Sequence, residues 1–245
     1  MTAPSLEGQR VVVMGGSSGI GFAVAERAIR EGAQAVVGSS DAARVEHAVK
    51  RLGSAASGSA VDVRDEASVS AFFQRHHAFD HLVFTAGDWP ALRTGSAVAE
   101  LDLPGAHAVF AVRFWGALAA IKYAQRYISP AGSITLTNGV VAHRPRKGAV
   151  LNTAMAGAIE HLTRALAVEL APVRVNAVCP GLVLTEVWNG IPEDRREEQI
   201  RRMTARHPLP RAADPGEVAE AYLYLLRATY STGQVLIVDG GMTLV

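Results

Sequence analysis

The sequence predicts a single α/β domain, a doubly wound seven-stranded parallel sheet with helices on both faces. Three observations lead there. Short β-rich runs alternate with helical patterns from end to end of the 245 residues. Most of the β runs are continuously apolar rather than alternating, as strands covered on both faces are. The composition is 49% apolar and only 19% charged, with 23 glycines and a mean hydropathy of +0.16, which describes a chain with much to bury and many tight turns.

In chain order, strands are expected at residues 10–14, 34–38, 60–63, 81–85, 133–136, 173–178 and 235–238. Helical patterns fill the intervals at 19–31, 42–52, 66–76, 105–127, 148–170 and 215–227. Asp41 and Asp65 stand where N-caps belong, and Pro215 follows Asp214 as proline does at a first helical position. Such alternation is the signature of a doubly wound sheet. The one break is an insertion at 185–211, carrying Trp188, Pro192, Pro208 and Pro210, placed where a substrate-covering lobe belongs. No Ser/Pro-rich linker and no repeat divides the chain, so 1–245 reads as one domain.

Charge and cysteine content narrow the function. Lys+Arg 24 against Asp+Glu 23 leaves +1, which argues against nucleic-acid or anionic-membrane binding through bulk charge. The single cysteine, Cys179, excludes an intrachain disulfide and fits a reducing, cytoplasmic setting. The start MTAPSLEGQR has no long apolar segment, and no apolar run reaches the ~18–20 residues of a membrane span. His76, His77 and His81 straddle a helix end and a buried strand, so they do not converge, and no metal site is expected.

The first functional signal is the stretch Met14-Gly15-Gly16-Ser17-Ser18-Gly19-Ile20-Gly21, which runs from strand through turn into helix. Glycines there let the backbone approach a pyrophosphate seated at the positive end of a helix. A glycine triplet alone is weak; closing the first strand of a βαβ unit is the context that strengthens it.

The chain resembles the short-chain dehydrogenase/reductase family, with a Rossmann-type fold. Gly15-x-x-x-Gly19-Ile20-Gly21 is similar to that family's TGxxxGIG coenzyme loop, with Met14 at the usual threonine. Asp62-Val63 resembles its adenine contact, and Thr85-Ala86-Gly87 the end of its NNAG motif. Arg174 to Gly181 matches RVNAVxPG, Thr185 the threonine that follows, and Gly233 to Gly241 the GQVLxVDGG ending. The resemblance implies a dinucleotide coenzyme held by Gly15, Ser17, Ser18, Gly19, Ile20, Asp62, Val63, Ala86, Gly87, Thr137, Pro180, Gly181, Val183 and Thr185. It also implies a small-molecule substrate and a homodimer or homotetramer built on the two long helices and the C-terminal strand.

NAD-selective relatives of this fold place a carboxylate at the end of the second strand. Here that place reads Gly38-Ser39-Ser40, with Arg44 one turn into the next helix and Asp41 better explained as an N-cap. NADP(H) is therefore expected over NAD(H), with Ser39, Ser40 and Arg44 at the 2′-phosphate; Arg44 as an ordinary solvated helix residue is the alternative.

The same resemblance implies an Asn–Ser–Tyr–Lys set for carbonyl reduction, the tyrosine donating the proton. Matching flanks put Arg113 at the Asn position, Gly139 at Ser, Asn152 at Tyr and Ala156 at Lys. A shifted register does not restore the pair, because Tyr123, Tyr127, Tyr222, Tyr224 and Tyr230 all lack a lysine four residues on. Arg113 is always charged, so it can bind a carboxylate or a developing oxyanion but cannot donate a proton. The alternative for Arg113 is a structural ion pair. Asn152 can hydrogen-bond a ribose or carbonyl, and His143 is the nearby residue of a type that titrates near neutrality, unless it is a solvated loop residue. The expected function is an NADPH-dependent oxidoreductase with Arg113, Asn152 and His143 at an atypical site, acting on an iminium, enone, quinone or carbonyl. A non-redox cyclase or isomerase, and a coenzyme-binding pseudoenzyme, are the alternatives.

Overall fold

The computed structural model describes residues 5–87 and 97–245; the first four residues of the start discussed above lie outside it. Seven parallel strands form one sheet: β1 (Arg10–Met14), β2 (Gln34–Ser39), β3 (Ala56–Ala60), β4 (Phe79–Phe84), β5 (Ile128–Thr137), β6 (Arg174–Pro180) and β7 (Val235–Val238), in spatial order β3-β2-β1-β4-β5-β6-β7. Val12 pairs with Val36 on one side and Leu82 on the other, so β1 lies in the sheet's interior. Its side chains alternate between two cores. Val11 and Val13 face α1 (Gly19–Arg30) and the last long helix (Pro215–Arg227), while Val12 and Met14 face the helices of the opposite layer. Each of these fully buried valines contributes about 1.5–3 kcal/mol of apolar burial.

The remaining helices are α2 (Ala42–Leu52), α3 (Glu66–Arg75), α4 (Leu103–Ala124), α5 (Val150–Glu169), α6 (Glu193–Thr204) and α7 (Pro215–Arg227). Asp41, Asp65 and Asp214 cap α2, α3 and α7 through their carboxylates, and Asp214 and Glu217 complete a capping box. The opposite layer consists of α3, α4 and α5, with Phe72, Phe73, Ile121, Met155 and Ile159 as its large buried groups.

Three expectations are corrected. β3 lies at 56–60 rather than 60–63, because this edge strand is made of small residues without a strand pattern. Val61 and Val63, which suggested a strand there, instead plug the core from the loop beyond it. β5 begins at Ile128, upstream of its apolar run, and pairs with β4 through a register shift between Phe79 and His81. The helix read as 105–127 spans Leu103–Ala124 and is interrupted at Ala111–Gly116 by a π-helical segment, a form that inserts one extra residue per turn. At 22 residues and mean hydropathy 1.2 this helix is long and apolar enough to cross a membrane by length and composition, although no such run stood out in the sequence. Its inner face, with Ala117, Ala120, Ile121 and Ala124, is buried against the sheet, while Leu103 and Trp115 are exposed.

Candidate active site

The order β2-β1-β4 places a reversal of winding between β1 and β4, and ligands of open α/β sheets bind outside the carboxyl ends of the strands at such a point. The glycine loop sits there. Gly15 has φ +85 and donates its N–H to the Gly38 carbonyl at 2.7 Å. A Cβ on it would stand 2.5 Å from the Ala86 nitrogen, so only glycine lets the ends of β1 and β4 touch. Ser18 enters α1 in an extended conformation and makes no side-chain cap, and the first turn holds no acidic residue. That helix terminus is left to an anion, as a pyrophosphate-binding turn requires. Side-chain atoms of Thr185 and Glu186 lie 3.1–3.4 Å from the place of a Cβ on Gly19, so the structure brings Thr185 to the glycine loop across the sheet. These residues fit a dinucleotide coenzyme. Ser17 and Ile20 are half-buried in the same turn, Ile20 packing on the α1–α7 core.

On the β2–β3 side, Ser39 is half-buried and Ser40 exposed at the strand end. Asp41 takes the Arg44 backbone N–H at 3.0 Å and also lies 3.6 Å from its guanidinium, so Arg44 and Asp41 share the α2 start. Asp62, in the loop after β3, has both carboxylate oxygens held at 3.0 Å by Arg64, whose hydrogen bonds hold its carboxyl below the usual range. Val63 is buried beneath Gly116 of α4. Beyond β6, Pro180 closes the strand, Gly181 donates to the Val238 carbonyl at 2.9 Å, and buried Val183 bridges to Ala213. These three anchor the segment that carries Thr185. Thr137, at the end of β5, has its hydroxyl in the core: it donates to the Phe84 carbonyl at 2.7 Å and lies 2.7 Å from the Tyr222 hydroxyl. The cause is strand alternation, which turns Thr137 toward α7. Burial pushes the Tyr222 phenol above its ordinary value, so it stays neutral.

Arg113 lies within the π-helical segment, and its guanidinium rests on Gly87, where a Cβ would be 2.8 Å from Nη2 and 3.0 Å from Nε. Nη1 donates to the Asn138 carbonyl at 3.4 Å; Nε is buried without a partner. Burial lowers the pKa of this side chain, opposed by Tyr222. Among the described residues Arg113 makes no ion pair with a carboxylate, so the structural-pair alternative has no partner to rest on. Arg113 and Gly87 therefore come together with the end of β5.

Two further positions of the set lie on α5. Asn152, Ala156 and Glu160 follow at i, i+4 and i+8, and so share one helix face. Ala156 is buried, and the Thr153 hydroxyl beside Asn152 is buried without a partner. Gly139 faces open space, with nothing within 4 Å of a Cβ. His143 is not a free loop residue: its Nε2 is 2.7 Å from Glu160, and Asn138 Nδ2 donates to the same carboxylate oxygen at 2.9 Å. Glu160, Asn138 and Arg64 were not singled out in the sequence, and Tyr222 was named there only for lacking a lysine four residues on. Only Glu160 left a signal, its i+8 spacing from Asn152.

The fold has counterparts among known proteins. Residues 15–243 match the profile of the enoyl-(acyl carrier protein) reductase family. A short-chain dehydrogenase/reductase of Stachybotrys chlorohalonatus is 35% identical over 97% of this chain and 98% of its own. The chain belongs to the short-chain dehydrogenase/reductase family. Two solved members are each 33% identical. One is a small-chain dehydrogenase in complex with NADPH, at TM-score 0.82 over 98% of this chain and all of that one. The other is the MalC reductase/Diels–Alderase of Malbranchea aurantiaca, at TM-score 0.90 over 98% of each chain. Membership makes this chain a Rossmann-type protein of an oxidoreductase family that binds nicotinamide coenzymes.

Proposed function

We propose that this chain is an NADP(H)-dependent oxidoreductase with an atypical active site, in which Arg113 replaces the asparagine of the usual catalytic set. Its substrate is a small molecule that presents a carboxylate, or develops negative charge, at Arg113. One observation carries the reading: a half-buried arginine at the coenzyme end of the sheet, whose Nε is buried and unpaired and which has no carboxylate partner among the described residues. A partly desolvated charge without a counter-ion is costly, which supports an anionic group supplied from outside. When bound, the coenzyme supplies a hydride to an iminium, enone, quinone or carbonyl carbon. The chain's own residues orient and polarise: Arg113 faces the anionic end of the substrate, and Gly15 to Gly21 with Thr185 hold the coenzyme. Ser39, Ser40 and Arg44, with no carboxylate in the strand end itself, favour the 2′-phosphate form, in keeping with the NADPH-bound relative.

The exposed face of α4, with Leu103 and Trp115, supports a homodimer or homotetramer. The likeness to a reductase/Diels–Alderase favours a second reading, ring formation in the same pocket without net redox change. Coenzyme oxidation separates the two. NADPH consumption is expected with at least one acceptor from an iminium, enone, quinone and carbonyl panel, and Arg113→Ala is expected to lower it about 10²–10³-fold. Product isomeric with substrate, formed without NADPH consumption, selects the second reading.

A further inference from the structure

The turn Val140–Ala142 folds the chain back on the end of β5. Ala142 donates to the Gly139 carbonyl at 3.1 Å and His143 to that of Val140 at 3.0 Å. His143 is thereby returned to within one turn of Gly139, the open position at the strand end. Its Nε2 lies 2.7 Å from Glu160, whose side chain is only 12% exposed, and the same oxygen accepts from Asn138 Nδ2 at 2.9 Å. Nδ1 makes no hydrogen bond among the described residues, and the side chain is 32% exposed. An imidazole fixed through one nitrogen by a sequestered carboxylate, with the other nitrogen free, is the arrangement that moves protons in enzymes. Neither Arg113 nor Asn152 can perform that task.

We propose that His143 is the proton donor of this site and Glu160 its positioning residue, so that the acceptors include carbonyls and enones, whose oxygen needs a proton. The inference rests on the oxidoreductase reading above. As a carbonyl carbon gains a hydride, the π electrons of its C=O bond pass to oxygen; in an enone the hydride goes to the β carbon, the C=C pair shifts to the neighbouring bond, and the C=O pair again passes to oxygen. That oxygen takes the proton from Nδ1 of the imidazolium, whose N–H electrons stay on nitrogen, while the other proton stays on Nε2, donated to the Glu160 carboxylate. Solvent returns the proton through the exposed edge of the ring. The other groups facing the pair are Arg164 from α5, 3.8 Å from Glu160, and the Cys179 thiol from β6, which burial and Glu160 together push up to about 12. Arg144, next in the loop, is turned to the Met242 carbonyl at 2.8 Å.

The test compares acceptors that need a proton with acceptors that do not. His143→Ala is expected to lower kcat for a carbonyl by about 10²–10⁴-fold while leaving reduction of an iminium ion within about threefold, because a general acid contributes only where a proton is transferred. Exogenous imidazole should restore part of the carbonyl rate, and the fall in rate on the basic side of the pH profile should vanish in the variant. Independently of turnover, the Nε2 proton bound to Glu160 should give an exchange-protected downfield NMR signal that Glu160→Gln abolishes. Equal losses for carbonyl and iminium, no loss for either, or a signal that survives Glu160→Gln overturns the assignment while leaving the oxidoreductase reading standing. A wild-type chain that consumes no NADPH with any acceptor overturns that reading, and this inference with it.

Discussion

The two ends of the sheet treat buried polar groups in opposite ways. Toward the amino end three buried polar side chains have partners. His81 lies between Ser133 (2.8 Å) and Gln9 (2.7 Å), and Asn176 bonds the Ser231 carbonyl and the Gln234 N–H. Arg174 donates to the carbonyls of Leu225, Leu226 and Ala228 at 2.7–2.9 Å, closing the C-terminus of α7 with a cation. At the carboxyl end, Arg113 Nε, Asn138 Oδ1 and Thr153 Oγ1 are buried without partners; Thr135 Oγ1, level with Asn176 in the middle of the sheet, is the fourth such atom among the described residues. A buried polar group left unpaired costs about 1–3 kcal/mol. The chain supplies the partners at one end and leaves three polar atoms unpaired at the other.

Substitutions at the two ends should therefore separate stability from catalysis. The largest effect belongs to the amino end. Arg174→Leu strands three carbonyls and should cost about 3–5 kcal/mol, a fall in Tm on the order of 10 °C, with kcat per folded molecule unchanged. An unaltered Tm breaks the comparison. At the carboxyl end, Arg113→Ala should do the reverse: a loss of about 3–4 kcal/mol in transition-state stabilisation, read from kcat/KM, with no loss of Tm.

Next in size is a pH effect at the amino end. Burial holds His81 at about 4, below the ordinary histidine value of 6.5, so the folded chain keeps it neutral while the unfolded chain binds the proton. That contribution is fully present above pH 6.5 and is lost as pH falls toward 4, about 3 kcal/mol in all. Denaturant midpoints should slope downward over that window, and His81→Gln should flatten the slope. The smallest effect returns to the carboxyl end. Thr153→Val removes an unpaired hydroxyl and should raise stability by about 1 kcal/mol, a Tm gain of about 2–4 °C. A Tm loss would mean the hydroxyl is already satisfied.

The sequence revealed the amino-acid patterns that local physics controls. β1, α2, α7 and β7 occupy the residues expected of them, because apolar runs, aspartate caps and Pro215 are local signals. β3 was misplaced because Ala56–Ala60 carries no apolar run, and an edge strand of small residues is held by its neighbour β2 rather than by its own propensity. The coenzyme loop was legible because glycine spacing states a backbone requirement directly. The polar site was legible only in part. Arg113 and His143 stood out by residue type, but their surroundings depend on tertiary contacts. Nothing local to Arg113 announces a π-helical turn, and nothing near His143 announces a carboxylate seventeen residues later in the chain. The orientation of the Thr137 hydroxyl was hidden for the same reason, since which face a strand residue shows depends on the register that the sheet imposes.

The contact of Arg113 with Gly87 ties the two positions together as one unit of sequence change. A side chain at 87 puts a Cβ less than 3 Å from Nη2, which excludes this arginine pose. Arg113 can be replaced without disturbing residue 87, but this pose is open to an arginine only while residue 87 remains glycine.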